Sequence, residues 1–310
     1  MNLFRKFFSK KTPPQLYDIN IPKITKSKVA VALVSRDEIE VIEDNIKFHL
    51  AQGVDLIFAT DNNSADGTLD IFKKYEKLGK LILFQDSSNM HDQSRIINNM
   101  IKVAKEEYKI DWVFTIDSDE LLLSKWGNLK RNITQIENSG YNVAFVPMFN
   151  IYPETLKDTE QTFWLNTKGY FQYRHNDPTM FFSKAIVKTK DHVDIVFGNH
   201  QTTTIDKNAT VCTDITLFHY PMRTLEQYKN KMKNLANSAN HTDKHYIDIG
   251  KKCLETYNNI EKVWSERIIE NRKDDLTLWI KNSAAKDFIE NGYRNNLSLM
   301  TTHVEELKKI

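Results

Sequence analysis

From Lys28 onward the apolar positions along the chain alternate between two periods. Val29-Ala30-Val31-Ala32-Leu33-Val34 is an unbroken apolar run, which predicts a strand buried on both faces. Ile39, Ile42, Ile46 and Leu50 then recur at helical spacing, and the pattern stops near Gly53. Val54 to Thr60 predicts a second strand, which opens into the polar turn Asp61-Asn62-Asn63-Ser64-Ala65-Asp66-Gly67. Thr68 to Lys77 reads as a helix closed by Gly79, and Lys80 to Phe84 as a third strand. Ile96, Met100 and Val103 mark the buried side of another helix, and Asp111 to Ile116 is a fourth strand that delivers the chain to Asp117.

Strands and helices in strict alternation, joined by short links, predict an α/β fold: a mostly parallel central sheet with helices on both faces. Ligands of such sheets sit at the carboxyl ends of the strands, and both acidic clusters, Asp61 to Asp66 and Asp117 to Glu120, fall at that edge. Beyond Gly140 the pattern changes. Tyr141 to Met148 is a further strand, Asn150 to Asp214 is irregular and rich in Tyr, Phe, His and Asp, and from Arg223 the reading is helical, with Leu225, Tyr228, Met232 and Leu235 on one stripe. This predicts a basic tail and lead-in at 1–27 and an α/β domain at 28–222. The domain has a donor half at 28–120 and an acceptor half at 121–222, and a C-terminal helical appendage follows at 223–310.

Composition narrows the function classes. A chain of 310 residues with 40% hydrophobic content can bury a full core. Its 43 basic residues nearly cancel 41 acidic ones, and no basic patch interleaved with aromatics stands out, so no nucleic-acid partner is expected. Cys212 and Cys253 have neither CxxC spacing nor metal-site companions and read as ordinary thiols, which suits a reducing, cytoplasmic setting. No apolar stretch reaches the roughly 18–20 residues that span a bilayer. Met1 to Lys11 mixes Leu3, Phe4, Phe7 and Phe8 with Arg5, Lys6, Lys10 and Lys11. It is either a basic amphipathic foot for peripheral contact with the inner face of the cytoplasmic membrane or a frayed end.

Asp117-Ser118-Asp119 is the sharpest chemical signal. In an extended segment its two carboxylates would share a face, with Ser118 turned away. Paired carboxylates repel unless a cation sits between them, and hard oxygen ligands suit Mg²⁺ or Mn²⁺, which complete their shells with substrate phosphates. The alternative is a helix N-cap by Ser118 or Asp119. The turn from Asp61 to Gly67 offers acceptors to a base or ribose, or is a polar loop whose side chains bond their own backbone.

These residues resemble a known family. Lys47-Phe48-His49-Leu50-Ala51-Gln52-Gly53-Val54-Asp55, Asp61 to Thr68, and Trp112 to Glu120 are similar to family 2 glycosyltransferases, closest to a bacterial subgroup related to family 92. The resemblance runs from about Val29 to Lys231 and takes in Tyr152-Pro153, Lys184, His200, His219-Tyr220 and Glu226-Gln227-Tyr228-Lys229. It implies the GT-A fold, a nucleoside-diphosphate sugar donor and inversion at the anomeric carbon. Position by position, it places Asp61 on the nucleobase and ribose, Ser35 and Arg36 in the same pocket, and Asp66 toward the diphosphate. Gln93 and Arg95 face the donor sugar or phosphates, Ser118 and Lys184 join the donor-binding set, Asp117 and Asp119 hold Mn²⁺ or Mg²⁺, and His219 is a further metal ligand. One departure is Asp37-Glu38, where the family usually has Asn-Glu.

Several residues stay open. His200 is a ligand, a base, an acceptor contact, or a histidine satisfied within its loop. Lys184 pairs a phosphate or snorkels at a strand edge. Trp164, Tyr170, Phe171 and Tyr173 stack on an acceptor sugar or simply fill the core. The base for the incoming hydroxyl is assigned first to Asp177, with Glu154 and His200 as alternatives. The expected activity is hexosyl transfer from a nucleotide sugar, a UDP-sugar by the chemistry of Asp61, to a glycan or glycolipid acceptor in bacterial surface polysaccharide or lipopolysaccharide synthesis. The alternatives are a sugar nucleotidyltransferase, which needs a Gly-rich loop where this chain has Ser35-Arg36-Asp37-Glu38, and a non-catalytic carbohydrate-binding protein.

Overall fold

A computed structural model describes residues 21–87, 92–152, 170–172, 183–191, 193–196, 199–203, 209–212, 214–240 and 244–273. Strands β1 (Val29–Ser35), β2 (Leu56–Asp61), β3 (Leu81–Gln85) and β4 (Trp112–Asp117) form the donor half, with helices α1 (Ile42–Ala51), α2 (Thr68–Lys77) and α3 (Gln93–Glu106) between them. The order β3-β2-β1-β4 is parallel throughout, so Ser35, Asp61 and Asp117 end together at the carboxyl edge. β1 shows why the run is unbroken: Val29, Val31 and Leu33 pack into the layer of α1 and α2, while Ala30 and Ala32 face Ile96, Ile97 and Met100 of α3. Small residues on the second face let α3 approach closely.

β5 (Glu120–Ser124), α4 (Leu129–Asn138) and β6 (Val143–Tyr152) follow. The stretch expected to be irregular contributes strands within its described parts: β7 (Tyr170–Gln172), β8 (Ser183–Lys188), β9 (Ile195–Val196), β10 (Gln201–Thr202) and β11 (Ala209–Val211). β8 runs antiparallel between β4 and β6, in the middle of the sheet, so within the described residues this stretch is not irregular as expected. Sequence patterning misses it because Ser183-Lys184-Ala185 interrupts the apolar run with a lysine. β12 (Ile215–His219) pairs with β6 and, antiparallel, with β5, which closes the order β3-β2-β1-β4-β8-β6-β12-β5. Helices α5 (Leu225–Ala236), α6 (Lys244–Asn258) and α7 (Ile260–Lys273) complete the described chain. No helix among the described residues is long and apolar enough to cross a membrane. Neither Cys212 nor Cys253 forms a disulfide.

Among the described residues β5 has only one strand neighbour, and its other edge is closed by side chains of α1. Asn45 Nδ2 donates to the carbonyls of Ser118 (2.9 Å) and Glu120 (2.8 Å). The Leu122 amide donates to His49 Nε2 (3.2 Å), Gln52 Nε2 donates to the Leu122 carbonyl (2.6 Å), and the Ser124 amide donates to Gln52 Oε1 (2.9 Å). A buried, unpaired strand edge leaves backbone groups unsatisfied, and here a helix face substitutes for the missing strand. Gly53 lets the chain leave α1: its φ is +86°, and a Cβ there would lie 2.6 Å from the Asn128 side chain.

The bond from Leu122 fixes the His49 tautomer. Nε2 must accept, so Nδ1 carries the proton and donates to the Asn45 carbonyl (2.8 Å). Protonating Nε2 would set one N–H against another. Burial holds the pKa at about 4, although the Asn45 bond opposes the drop. The unfolded chain therefore binds a proton that the fold refuses. The associated stability is complete above about pH 6.5 and is lost as pH falls toward 4, by up to roughly 3 kcal/mol. Urea midpoints measured from pH 7 to 4.5 should fall, and His49→Gln, whose amide still offers an acceptor, should flatten that fall. An equally steep fall in the variant would assign the pH dependence to other groups.

Candidate active site

At the end of β4 the chain turns instead of running straight. Ser118 and Asp119 form the turn and Glu120 opens β5, so the expected extended geometry, with both carboxylates on one face, is corrected. The N-cap alternative also falls, because a strand follows rather than a helix. The turn is clasped from three sides: the Asp117 amide donates to Glu120 Oε2 (2.8 Å), Asn45 holds the carbonyls of Ser118 and Glu120, and the Tyr220 amide donates to the Asp119 carbonyl (2.9 Å). Ser118 is buried, with its hydroxyl donating to the Val34 carbonyl (3.3 Å).

The two aspartates consequently meet different partners. Asp117 accepts from Gln93 Nε2 at the start of α3 and from Lys184 Nζ on β8 (2.8 Å). Asp119 accepts from Lys231 Nζ on α5, with His219 Nε2 3.6 Å and Arg223 3.8 Å from the same oxygen. Lys184, 1% exposed, also lies 3.4 Å from Glu120. Arg223 ties back to Glu38 and lies 3.5 Å from Glu40.

These pairings set the electrostatics. Burial is the largest influence on the Asp117 carboxyl and pushes it up, with Asp119 adding to it, but the charge and hydrogen bond of Lys184, helped by His200, hold the group below the usual carboxylate range. Burial likewise opposes Asp119, and Lys231, His219 and Arg223 together hold it well below that range. Glu120 goes the other way. Burial pushes it up to about 7, Lys184 offsets only part of this, and the Asp117 charge adds to it. Burial also raises Glu38 to about 6, despite Arg223.

A second group lies at the ends of β1 and β2, where Ser35 and Asp61 are paired in register. Asp61 is buried and its Oδ2 accepts from the Ser64 amide (3.2 Å), but its Oδ1 has no hydrogen-bond partner. Ser35 Oγ and Arg36 Nε, both buried, are likewise without one. Asp66 is engaged locally: Oδ1 accepts from the Thr68 amide (2.9 Å) and hydroxyl (2.7 Å), and Oδ2 from the Ile39 amide (2.9 Å). It thus braces the start of α2, where Gly67 at φ +103° makes the turn possible. Arg95 is exposed and bound to Asp92 (2.8 Å) and Asp86 (3.1 Å). His200 is half-buried and close enough for its charge to help hold Asp117 down. Asp177, Glu154, Trp164, Tyr173 and the basic tail lie outside the described residues.

The donor set of Asp117, Asp119 and His219 suits a hard divalent cation chemically. Ligands of one octahedral ion lie about 3 Å apart, which Asp119 and His219 approach at 3.6 Å. The lysines occupy the carboxylates, however, and among the described residues no group of three or more His, Cys, Asp or Glu side chains is gathered as for a metal. The side-chain types fit such an ion, with the Lys184 ammonium on Asp117 and the Lys231 ammonium on Asp119 in this structure.

Sequence reasoning missed Glu38, Glu120, Arg223, Lys231 and the α1 trio. The recoverable signal was spacing: Arg223, Gln227, Lys231 and Asn234 fall on one helical face, as do Asn45, His49 and Gln52.

A mostly parallel sheet with this order and an acidic turn at its carboxyl edge is an α/β scaffold of the GT-A type. The match to glycosyl transferase family 2 spans residues 30–196, more than half of the chain, and the chain belongs to that family. It is a glycosyltransferase. Among curated proteins none gives a significant match. Among solved structures, S. aureus TarS 1-349 in complex with UDP-GlcNAc is 16% identical, over 73% of this chain and 71% of that one, with a TM-score of 0.44. The mannosyltransferase PcManGT from Pyrobaculum calidifontis, in complex with GDP-Man and Mn²⁺, is 11% identical over 95% and 89%, with a TM-score of 0.44. Mannosyl-3-phosphoglycerate synthase from Rubrobacter xylanophilus is 16% identical over 39% and 40%, with a TM-score of 0.30. Likenesses at that level decide nothing about this chain's donor or metal.

Proposed function

We propose that this glycosyltransferase takes its sugar from a nucleoside-diphosphate sugar, a UDP-hexose by preference, and transfers it with inversion to a glycan or glycolipid of bacterial surface polysaccharide or lipopolysaccharide synthesis. The observation that carries the donor reading is the orphaned trio at the ends of β1 and β2. Ser35 Oγ, Arg36 Nε and Asp61 Oδ1 are buried polar atoms without a hydrogen-bond partner, Arg36 Nε having only a long ion pair to Asp37 (3.8 Å). Each such group costs about 1–3 kcal/mol if nothing ever satisfies it. A uracil N–H and ribose hydroxyls supply the donors that Asp61 lacks, and a base carbonyl can accept from Arg36.

Asp117, Asp119 and His219 would hold the cation, Mn²⁺ or Mg²⁺, which when bound neutralises charge on the departing diphosphate. The chain's own residues then prepare the site. Gln93 and Lys184 orient Asp117, the clasped turn fixes Asp119, and Arg223 keeps positive charge beside it. The base is assigned to Asp177, with Glu154 and His200 as alternatives. The acceptor assignment and peripheral membrane contact through the basic tail rest on the sequence resemblance.

Calorimetry with UDP, GDP and CMP in the presence of Mn²⁺ tests the donor. UDP should bind tightest, and Asp61→Ala should weaken it by roughly 10- to 100-fold, the scale of a hydrogen bond to a charged group. Tighter binding of GDP or CMP would sink the uridine assignment, and binding of none would sink the donor reading.

A further inference from the structure

Lys184 and Lys231 each set an ammonium on one aspartate, yet their surroundings differ. Lys184 is enclosed in the sheet between Asp117 and Glu120, with its side chain 1% exposed, so it has no route away from them. The Lys231 side chain is 25% exposed, while the carboxylate it holds is 1% exposed. It sits on α5, whose apolar face (Leu225, Tyr228, Met232) packs against Ile260, Val263 and Trp264 rather than against the central sheet. α5 meets the donor half through polar links: Lys231 to Asp119, and Asn234 Nδ2 to Asp37 Oδ2 (2.9 Å), with Arg223 just ahead of the helix bound to Glu38. One turn before Lys231 on that face, the buried Nε2 of Gln227 has no hydrogen-bond partner. The helix therefore presents a partly exposed cation and an unused N–H donor beside the turn where a diphosphate would lie.

The Lys231 ammonium and a divalent cation would crowd one oxygen, Asp119 Oδ2, and two positive charges there repel. Moving Lys231 aside relieves that repulsion but strands a charge unless an anion receives it. A diphosphate is such an anion. We propose that Lys231 is a resident counter-ion, holding Asp119 until the donor's diphosphate draws the ammonium away and opens the carboxylate to the divalent cation. This rests on the nucleotide-sugar reading above. Its consequence is that cation and nucleoside diphosphate bind together: each is weak alone and each strengthens the other by the same factor. His219 and Arg223, 3.6 and 3.8 Å from the vacated oxygen, keep Asp119 from being left bare during the exchange.

The test uses the full chain stripped of metal. Mn²⁺ is titrated with and without saturating UDP, and bound ion is read from loss of the free-Mn²⁺ electron paramagnetic resonance signal. In the wild-type chain UDP should tighten Mn²⁺ binding at least about tenfold, within the usual range of coupling. Lys231→Met should bind Mn²⁺ alone roughly three- to tenfold more tightly, because its competitor is gone, while the enhancement by UDP shrinks. Lys231→Gln carries the same expectation and stands in if the Met variant does not fold. Lys233→Met removes the same charge from an exposed position on the helix and should change neither quantity. Mn²⁺ affinity that is unchanged or weaker in folded Lys231 variants overturns the proposal, as does equal coupling in variant and wild type. Failure of the wild-type chain to bind UDP or GDP would instead strike the donor reading. The comparison with Mn²⁺ alone would still decide whether Lys231 competes for Asp119.

Discussion

Replacing Asp119 by asparagine is expected to lower turnover by on the order of 10³-fold, the several kcal/mol that an ion at a departing phosphate contributes, while the fold survives. The choice of asparagine matters. Asp119 is 1% exposed and faces Lys231, His219 and Arg223. Asp119→Ala would remove the carboxylate and leave buried cations facing a void, so lost activity would be confounded with lost stability. Asparagine keeps the volume and one acceptor. Nucleoside diphosphate released from a UDP-sugar measures turnover, and thermal melting measures the fold. Chelator should silence the wild-type chain, and Mn²⁺ or Mg²⁺ should restore it. Turnover within tenfold of wild type in a folded Asp119→Asn protein would remove this carboxylate from the mechanism, and full activity in chelator would remove the metal.

The donor half was legible because its physics is local. A continuous apolar run must be a strand buried on both faces, and an apolar helix stripe between two such runs forces a parallel crossover. β1, β2, β3 and β4 and their three helices lie within a few residues of where periodicity puts them. β5 and β8 were not read, each for its own reason. β5 begins inside the acidic motif, and its edge is closed by side chains from a helix about 70 positions earlier, as in the bond from Gln52 to Leu122. Such a contact leaves no trace in the strand's own pattern. β8 carries a buried lysine where periodicity expects an apolar residue.

The site shows the same division. Asp61 and Asp117 can be found because turns and strand ends announce themselves in sequence. Their counter-ions cannot, since Lys184, Lys231 and Arg223 come from 67, 112 and 104 residues beyond Asp117, Asp119 and Asp119 respectively. A lysine read alone is a solvated charge. Only the sheet order, which puts β8 beside β4, and the return of the chain through β12 give these cations their acids.

Lys184→Met is therefore expected to act mainly on stability, by about 3–5 kcal/mol, the usual cost of removing one partner from a buried ionic cluster. The side chain is enclosed, and its ammonium is what holds Asp117 below the carboxylate range against the pull of burial. Without it Asp117 and Glu120 face each other uncompensated. Glu120, already pushed up to about 7 by burial, would rise further and keep a proton. That proton uptake fixes the sign of the pH dependence. A carboxyl whose folded pKa lies above its unfolded one binds more protons in the native state, so stability falls as pH rises through that window. The deficit of Lys184→Met should accordingly be smaller at pH 6 than at pH 8 in urea denaturation. Lys184→Arg, which keeps the charge but adds bulk in a closed space, should recover only part of it. A Lys184→Met protein as stable as wild type at pH 8, with UDP affinity reduced tenfold or more, would return Lys184 to the donor's phosphates. The larger loss at high pH, with UDP affinity changed far less than stability, identifies it as the fixed counter-ion of the acidic turn, against which the partly exposed Lys231 acts.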